Sequence, residues 1–459
     1  MTAPEEAPDA LRESIWSPRY LAVTLGAVAL IFLGALEALA VTTVMPVVSA
    51  DLDGQSLYAV AFAGTLATGV VGMVAVGAWT DRAAPRAPVY TATALFILGL
   101  LIAGLAQTMP VLLAGRLVQG LGAGGQTVAL YVVVARLYPP RMHGRVFAVF
   151  SAAWVVPSMV GPALAGAVTE LLDWRWTFLG VAALAIIALV AIIIRLRAVE
   201  LRAGDASGSL ARVGVRMLLA VVVAVAAIVV GLAVEAPAAW RWPVAASAVV
   251  VLGLAVLPLL PRGTLRSVRG LPSVILMRAL IAGAFFAAEA YIPYLLMDEF
   301  SFSPTYAGLV LTGSALSWSF GSWVQGQWGE RLGSVRSSAI GLSLLLSALA
   351  VVTIVALAGA SPLLAMAGWA LAGGGMGLLY PMLNVLMLAY STPADEGFNS
   401  SALSIADATG SAVIMAVAGL VFGAAAAGAG AFAAVYVLSG VLILAAAVPG
   451  LRLGRPAVG

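Results

Sequence analysis

The sequence predicts an all-α polytopic membrane protein made of two six-helix bundles with two further helices inserted between them. Three observations predict this. Of 459 residues, 63% are apolar and only 9% are charged, against about 25% charged in soluble domains; so few charges cannot cover a water-facing exterior. The apolar residues fall in runs of about 20, the length that crosses a hydrocarbon core of about 30 Å. The same order of motifs then occurs twice along the chain.

Taken in order, residues 1–19 are polar and mixed in charge (Glu5, Glu6, Asp9, Arg12, Glu13, Arg19). They lack the basic start, short apolar core and cleavage site of a signal peptide, so a cytoplasmic tail is expected. The first bundle is expected over 20–195, with spans at 20–45, 56–79, 88–107, 110–137, 144–169 and 176–195. A linker over 196–272 carries the inserted spans, 215–235 and 241–260. The second bundle is expected over 273–450, with spans at 273–297, 304–327, 336–358, 362–390, 399–424 and 429–450; 451–459 form a second cytoplasmic tail. Short breaks with Pro, Gly or charge separate these runs.

Arginine placement tests the count of fourteen, because cytoplasmic loops collect Arg. With the N-terminus inside, nineteen of the 23 cationic residues fall in cytoplasmic segments; only Arg175 and Arg241 fall outside, and Arg116 and Arg278 lie within or just inside spans. One missed span would reverse every later loop. Loss of a pair would not, so twelve spans stay open if 215–260 does not cross. Against that, both pieces are long, and Arg241 is the only charged side chain in the second. The expected location is the cell (inner) membrane, with both termini cytoplasmic.

Composition excludes several chemistries. Cysteine is absent, which removes disulfides, Cys-based zinc sites and covalent haem. There is one histidine, His143, expected in a loop, and every cation is Arg, so multi-His metal sites, P-loops and Schiff-base lysines are also removed. No cofactor or metal is expected. A net charge of +3 on so apolar a chain does not suggest nucleic acid.

The repeat is visible in charged and glycine positions. Glu37 lies in the first span and Glu289 in the ninth. G-A-W-T-D-R-A-A-P-R after the second span, with Asp81, Arg82 and Arg86, is echoed by G-Q-W-G-E-R-L-G-S-V-R after the tenth, with Glu330 and Arg331. G-L-G-A-G-G (120–125) in the fourth span is echoed by G-G-G-M-G (373–377) in the twelfth. Such duplicated halves accompany folds that rock about a central site.

A carboxylate deep in hydrocarbon is costly and marks an ion or substrate path, and burial favours its proton-carrying form. Glu37 and Asp407 are therefore candidate proton carriers; the bland reading of Glu37 is an acid held at a helix end by an interhelical hydrogen bond. Pro46 is expected to limit or kink the first helix. Glu289 sits among Phe285, Phe286, Tyr291 and Tyr294, an arrangement that suits a lipophilic cation; ordinary packing is the alternative for each ring. Arg116 needs a carboxylate or several polar partners, with Gln119 on its own face; it is expected to tune a nearby acid, or else to act as a structural pin. Gln126 on the same helix is a further candidate for substrate binding. Pro157, Gly161, Pro162 and Gly166 in the fifth span predict a bend and a close helix contact. The Asp81–Arg82 pair and its echo are expected to close the cytoplasmic side in one state and to break in the other.

These motifs resemble the major facilitator superfamily, specifically its fourteen-span drug:proton antiporters. L-E-A-L-A-V-T-T-V-M-P is similar to the family's first-span pattern of an acid followed nine residues later by Pro, with Glu37 in place of the usual Asp. The loop with Gly77, Asp81, Arg82 and Arg86 resembles the family's gating loop, departing from it at Ala84 and Pro85; the second copy keeps Gly333. Arg116, Gln119 and Gly120 match the fourth-span motif, G-P-A-L-A-G (161–166) the antiporter motif with Ala165 for Gly, and D-W-R-W-T-F (173–178) the start of the sixth span. The resemblance implies export of lipophilic or cationic small molecules in exchange for protons, by a monomer in the lipid bilayer. A carrier of the same fold for a lipid, siderophore or metabolite remains open. A membrane-embedded enzyme would need a His, Cys or metal constellation that the composition does not offer, and duplicated halves disfavour a channel or receptor.

Overall fold

The computed structural model describes residues 14–54, 57–197, 201–203, 210–232, 238–302, 304–425 and 428–454; the expected tails therefore lie largely outside the described residues. Among those described there are helices and no strands. The first half contains α1 (Leu21–Asp51), α2 (Tyr58–Thr80), α3 (Arg86–Gly104), α4 (Met109–Leu137), α5 (Pro140–Ala152), α6 (Val155–Leu171) and α7 (Arg175–Arg197). Then come α8 (Leu210–Leu232) and α9 (Ala238–Val256), followed by the second half: α10 (Leu271–Asp298), α11 (Pro304–Leu332), α12 (Ser334–Ala358), α13 (Pro362–Ala389), α14 (Glu396–Ala424) and α15 (Ala429–Leu451). Twelve helices among the described residues are long and apolar enough to cross a membrane. They do not include α11, and in α2 only the shorter piece Gly64–Thr80 is singled out as apolar.

Local sequence sets the helix ends. Pro110, Pro140, Pro272 and Pro362 stand in the first turns of α4, α5, α10 and α13, where the missing N–H costs nothing. Gly333 joins α11 to α12 alone, at φ 72°, a conformation a side chain resists. Two expectations are corrected. Helix α1 does not stop at Pro46 but continues to Asp51; the Pro46 side chain lies outside the described residues. His143 is not in a loop: it is buried in α5, bonded through Nε2 to the Tyr138 carbonyl at 2.9 Å.

Each half packs by the same plan. In the first, α4 is clamped between α2 and α3, while α1 rests on α6 and α7; in the second, α13 lies between α11 and α12, and α10 on α14 and α15. The glycines repeat the contact in detail. A Cβ at Gly120 or Gly124 would strike the carbonyl oxygen of Thr65 or Gly69, and one at Gly373 or Gly377 that of Ser314 or Trp318. Absent side chains let the backbones touch, which is what holds helices together where lipid offers no hydrophobic gain. Helices α8 and α9 pack outside the bundles, against Val70 and Val74 of α2 and Ile405 of α14.

The halves meet at the end that carries most of the arginines, where α2 crosses α14 and α5 crosses α11. Glycines again permit this: Gly77 against the Gly397 carbonyl, with a Cβ there at 2.6 Å, and Gly326 against Ala148 at 3.0 Å.

Candidate functional site: paired charges inside each half

Glu37 lies sixteen residues into α1, about 24 Å along its axis at about 1.5 Å per residue, far from either end. Its carboxylate is ion-paired with the Arg116 guanidinium of α4, both side chains about 5% exposed. Arg116 also donates to Gln119 Oε1 at 2.8 Å and to the Ala61 carbonyl of α2 at 3.4 Å, so one guanidinium joins three helices. The Nε2 of Gln119 is left without a partner, and Gln126 donates to the Leu30 carbonyl at 3.3 Å while its Oε1 is unpartnered. Burial of two charges is repaid only when each is matched, and here the match is direct.

Asp407 of α14 is not a lone acid. Arg278 Nε of α10 reaches its Oδ1 at 2.8 Å, and the Tyr380 hydroxyl of α13 donates to the same oxygen at 2.7 Å. Arg278 also lies 3.4 Å from the Tyr380 ring centroid and donates to Asn384 Oδ1 at 3.4 Å. Tyr131 of α4 faces Asn384 and Arg278, so this cluster touches both halves. Sequence reading missed Arg278, Tyr380, Asn384 and Tyr131 as site residues; a permanent cation seven residues into α10 was the available signal.

Glu289 of α10 is half-buried and pairs with no cation among the described residues. The Trp369 indole N–H of α13 is directed to its carboxylate without closing a hydrogen bond. Phe285, one helical turn earlier, stacks on Trp369 at 5.0 Å between centroids and meets Phe286 and Trp318 at 5.3 and 5.4 Å; Trp318 then meets Tyr380 at 4.9 Å. Tyr291 is corrected. It joins Phe422 at 4.8 Å, in a separate group with Tyr294 and Phe432, because two residues turn a helix by about 200°.

At the arginine-rich end Asp81 accepts the backbone N–H groups of Gly397 at 2.6 Å and Phe398 at 3.1 Å, the free donors of the first turn of α14. Burial pushes its carboxyl up from 3.8 to about 6, against the lowering effect of those two donors and of Arg136. Arg136 of α4 pairs with Glu396 at 2.9 Å and donates to the Thr80 and Ala83 carbonyls at 2.8 and 3.0 Å. The expected Asp81–Arg82 pair is therefore corrected: consecutive residues do not face each other, and Arg82 donates to Ala78 in its own helix. Arg86 opens α3. The echo does not repeat this latch, since Glu330 and Arg331 are exposed and make no ion pair among the described residues. Arg136 and Glu396 were not foreseen. Arg216 of the inserted α8 lies 4.0 Å from the Phe398 ring, next to the same latch.

The bend in the fifth span is a break at Ala153–Trp154, between α5 and α6. Pro157 follows four residues after Ala153, where its ring and missing N–H disrupt the helix. A Cβ at Gly161 would meet Leu36 and Leu39 of α1 at 3.5 and 3.7 Å, but one at Gly166 would meet nothing from another helix within 4 Å, so the close contact expected there is absent; the crossing is set a turn earlier. The Pro162 side chain lies outside the described residues.

The family profile of the Major Facilitator Superfamily matches residues 26–213 and 274–458, leaving out most of the α8–α9 segment. Among curated relatives, the MFS efflux transporter aclA of Aspergillus oryzae is 34% identical over 183 residues, 40% of this chain and 33% of that one. The acurin A biosynthesis cluster MFS-type transporter of Aspergillus aculeatus is 33% identical over 147 residues, 32% of this chain and 26% of that one. The matches thus span about a quarter to a third of these relatives. Among solved structures, the human organic anion transporter MFSD10 aligns with a TM-score of 0.67 at 18% identity over 94% of this chain and 99% of that one. The E. coli fucose:proton symporter FucP gives 0.67 at 14%, covering 95% and 99%. A bacterial homologue of ferroportin in its outward-facing state gives 0.69 at 14%, covering 94% and 98%. At these identities the structures speak for the fold. With the profile matched across both halves, the chain belongs to the Major Facilitator Superfamily of multi-pass membrane transporters.

Proposed function

We propose that the protein is a fourteen-span secondary active transporter that exports amphipathic or cationic drug-like compounds in exchange for protons by alternating access. The observation that carries the reading is the buried Glu37–Arg116 pair, matched in the second half by Arg278–Asp407. Charges at this depth are expensive and mark ion paths; in each pair, protonation of the acid would release a cation held by it. Glu37 and Asp407 carry the protons, and Arg116 biases Glu37. Cargo meets Glu289, Phe285 and Phe286, with the unpartnered Gln119 Nε2 and Gln126 Oε1 on the first half. The bond from Asp81 to the α14 amides and the Arg136–Glu396 pair close one end, which the distribution of arginine makes cytoplasmic. Breaking them while Pro157 and Gly161 let α5 and α6 flex would open it. The α8–α9 segment, skipped by the family profile, supplies the inserted pair of spans. The transporter acts as a monomer in the cell membrane.

One proton entering down ~100 mV yields about 2.3 kcal/mol, and each pH unit adds about 1.36 kcal/mol. Both drive export of a neutral compound, whereas a monocation leaving cancels the electrical part, so its export runs on the pH gradient or takes a second proton. The test is proton flux from liposomes holding the purified protein, across a panel of cationic, neutral and anionic compounds. Cation-dependent proton movement is expected; flux only with anions or sugars, or none with any compound, contradicts the reading.

A further inference from the structure

The halves repeat closely enough to be compared residue by residue. Gly373 and Gly377 stand 253 positions after Gly120 and Gly124 and make the same carbonyl contacts on the neighbouring helix. In that register Trp369 occupies the place of Arg116, while Glu289 of α10 stands 252 positions after Glu37 of α1. The second half has kept the acid and exchanged its guanidinium for an indole. Trp369 is wholly buried, and its Nε1–H faces the Glu289 carboxylate without closing a hydrogen bond, so this carboxylate, unlike that of Glu37, has an indole rather than a guanidinium beside it. The rings of Phe285, Phe286 and Trp318 border the same place.

We infer that Trp369 is a specificity-determining residue: by standing where the first half has Arg116, it leaves Glu289 to pair with an organic cation seated against the Phe285, Phe286 and Trp318 rings. Arginine at this position would neutralise Glu289 from within the fold. Indole brings no positive charge of its own to Glu289, and the partly exposed rings of Phe286 and Trp318 supply the π faces that attract a cation. The inference rests on the transport reading and names the residue that selects the cargo's charge.

Its test reads binding, so that it can fail while transport stands. Full-length protein in lipid nanodiscs is titrated with tetraphenylphosphonium and with neutral triphenylphosphine oxide. The wild type is expected to prefer the cation by about tenfold, the scale of a desolvated cation–π and charge contact. Trp369→Arg, which rebuilds a Glu–Arg pair, and Glu289→Gln should each bring the two ligands to near-equal affinity. Trp369→Phe, which keeps an uncharged ring there, should retain most of the preference. Should Trp369→Arg fold poorly, the nearly isosteric Glu289→Gln carries the test with Trp369→Phe. Undiminished cation preference in Glu289→Gln, or no preference in the wild type, overturns the inference. Selective cation binding by a protein that moves no protons would instead defeat the transport reading alone.

Discussion

The two halves share a scaffold and differ in their charges. Glycine contacts recur pair for pair between α2 and α4 and between α11 and α13, but the first half joins its acid to Arg116 while the second leaves Glu289 beside Trp369 and builds its ion pair elsewhere, between Arg278 and Asp407. The latch is one-sided too: Asp81 grips α14, whereas Glu330 is exposed and makes no ion pair among the described residues. Backbone packing resists added side chains where carbonyls touch, and the glycines at those contacts stand in both copies. Side chains facing the middle are under no such limit, and there a duplicated fold can give its halves different work.

The largest effect expected from breaking this comparison is at the first-half pair. Arg116→Gln strands the Glu37 carboxylate, and loss of one partner of a buried pair costs about 3–5 kcal/mol. Thermal unfolding in detergent should show it, with Glu37→Gln in the same chain restoring over half. Arg278→Gln should cost less, because the Asp407 side chain is 28% exposed and keeps its Tyr380 bond. Equal losses at both sites would remove the distinction.

Next come the shared contacts. Gly124→Ala and Gly377→Ala should destabilise by similar amounts, about 1–3 kcal/mol, the usual cost of overpacking. Gly166→Ala, with open space around it, should shift the same melting curve by under about 0.5 kcal/mol. A large effect at Gly166 would restore the close contact that the structure lacks.

The latch gives a pH dependence. The carboxyl of Asp81 is raised to about 6 in the closed arrangement, first by burial. A raised carboxyl binds its proton more tightly when closed, so its contribution to closure is full below about 3.8 and fades as pH rises through about 6. Spin labels at Ala87→Cys and Val335→Cys, exposed sites at the two arginine-rich ends of a cysteine-free chain, should report more closed population at pH 5.5 than at 7.5. Asp81→Asn should flatten the response. The smallest effect is expected from Glu330→Gln, which should leave those distances unchanged at either pH; a matching shift there would mean that the second loop also latches.

Much of the scaffold was legible in the sequence because it is local. Apolar run length gives helices, proline marks their first turns, and glycine spacing announces where backbones touch. The pairings were less legible because they join distant segments: 79 positions separate Glu37 from Arg116, 129 separate Arg278 from Asp407, and 260 separate Arg136 from Glu396. Which helix faces which decides such pairs, and the repeat misleads where the halves diverge, as it did for Glu330. Tyr291 is a different case, since helical periodicity already places it on another face from Phe285.

The coupling role of Glu37 is tested most directly by comparing proton-driven efflux with passive counterflow of the same cation in proteoliposomes of the wild type and Glu37→Gln. The variant should retain counterflow, since cargo still crosses, and should lose all acceleration by an inward proton gradient. Proton-driven efflux at the wild-type rate in Glu37→Gln would contradict the account.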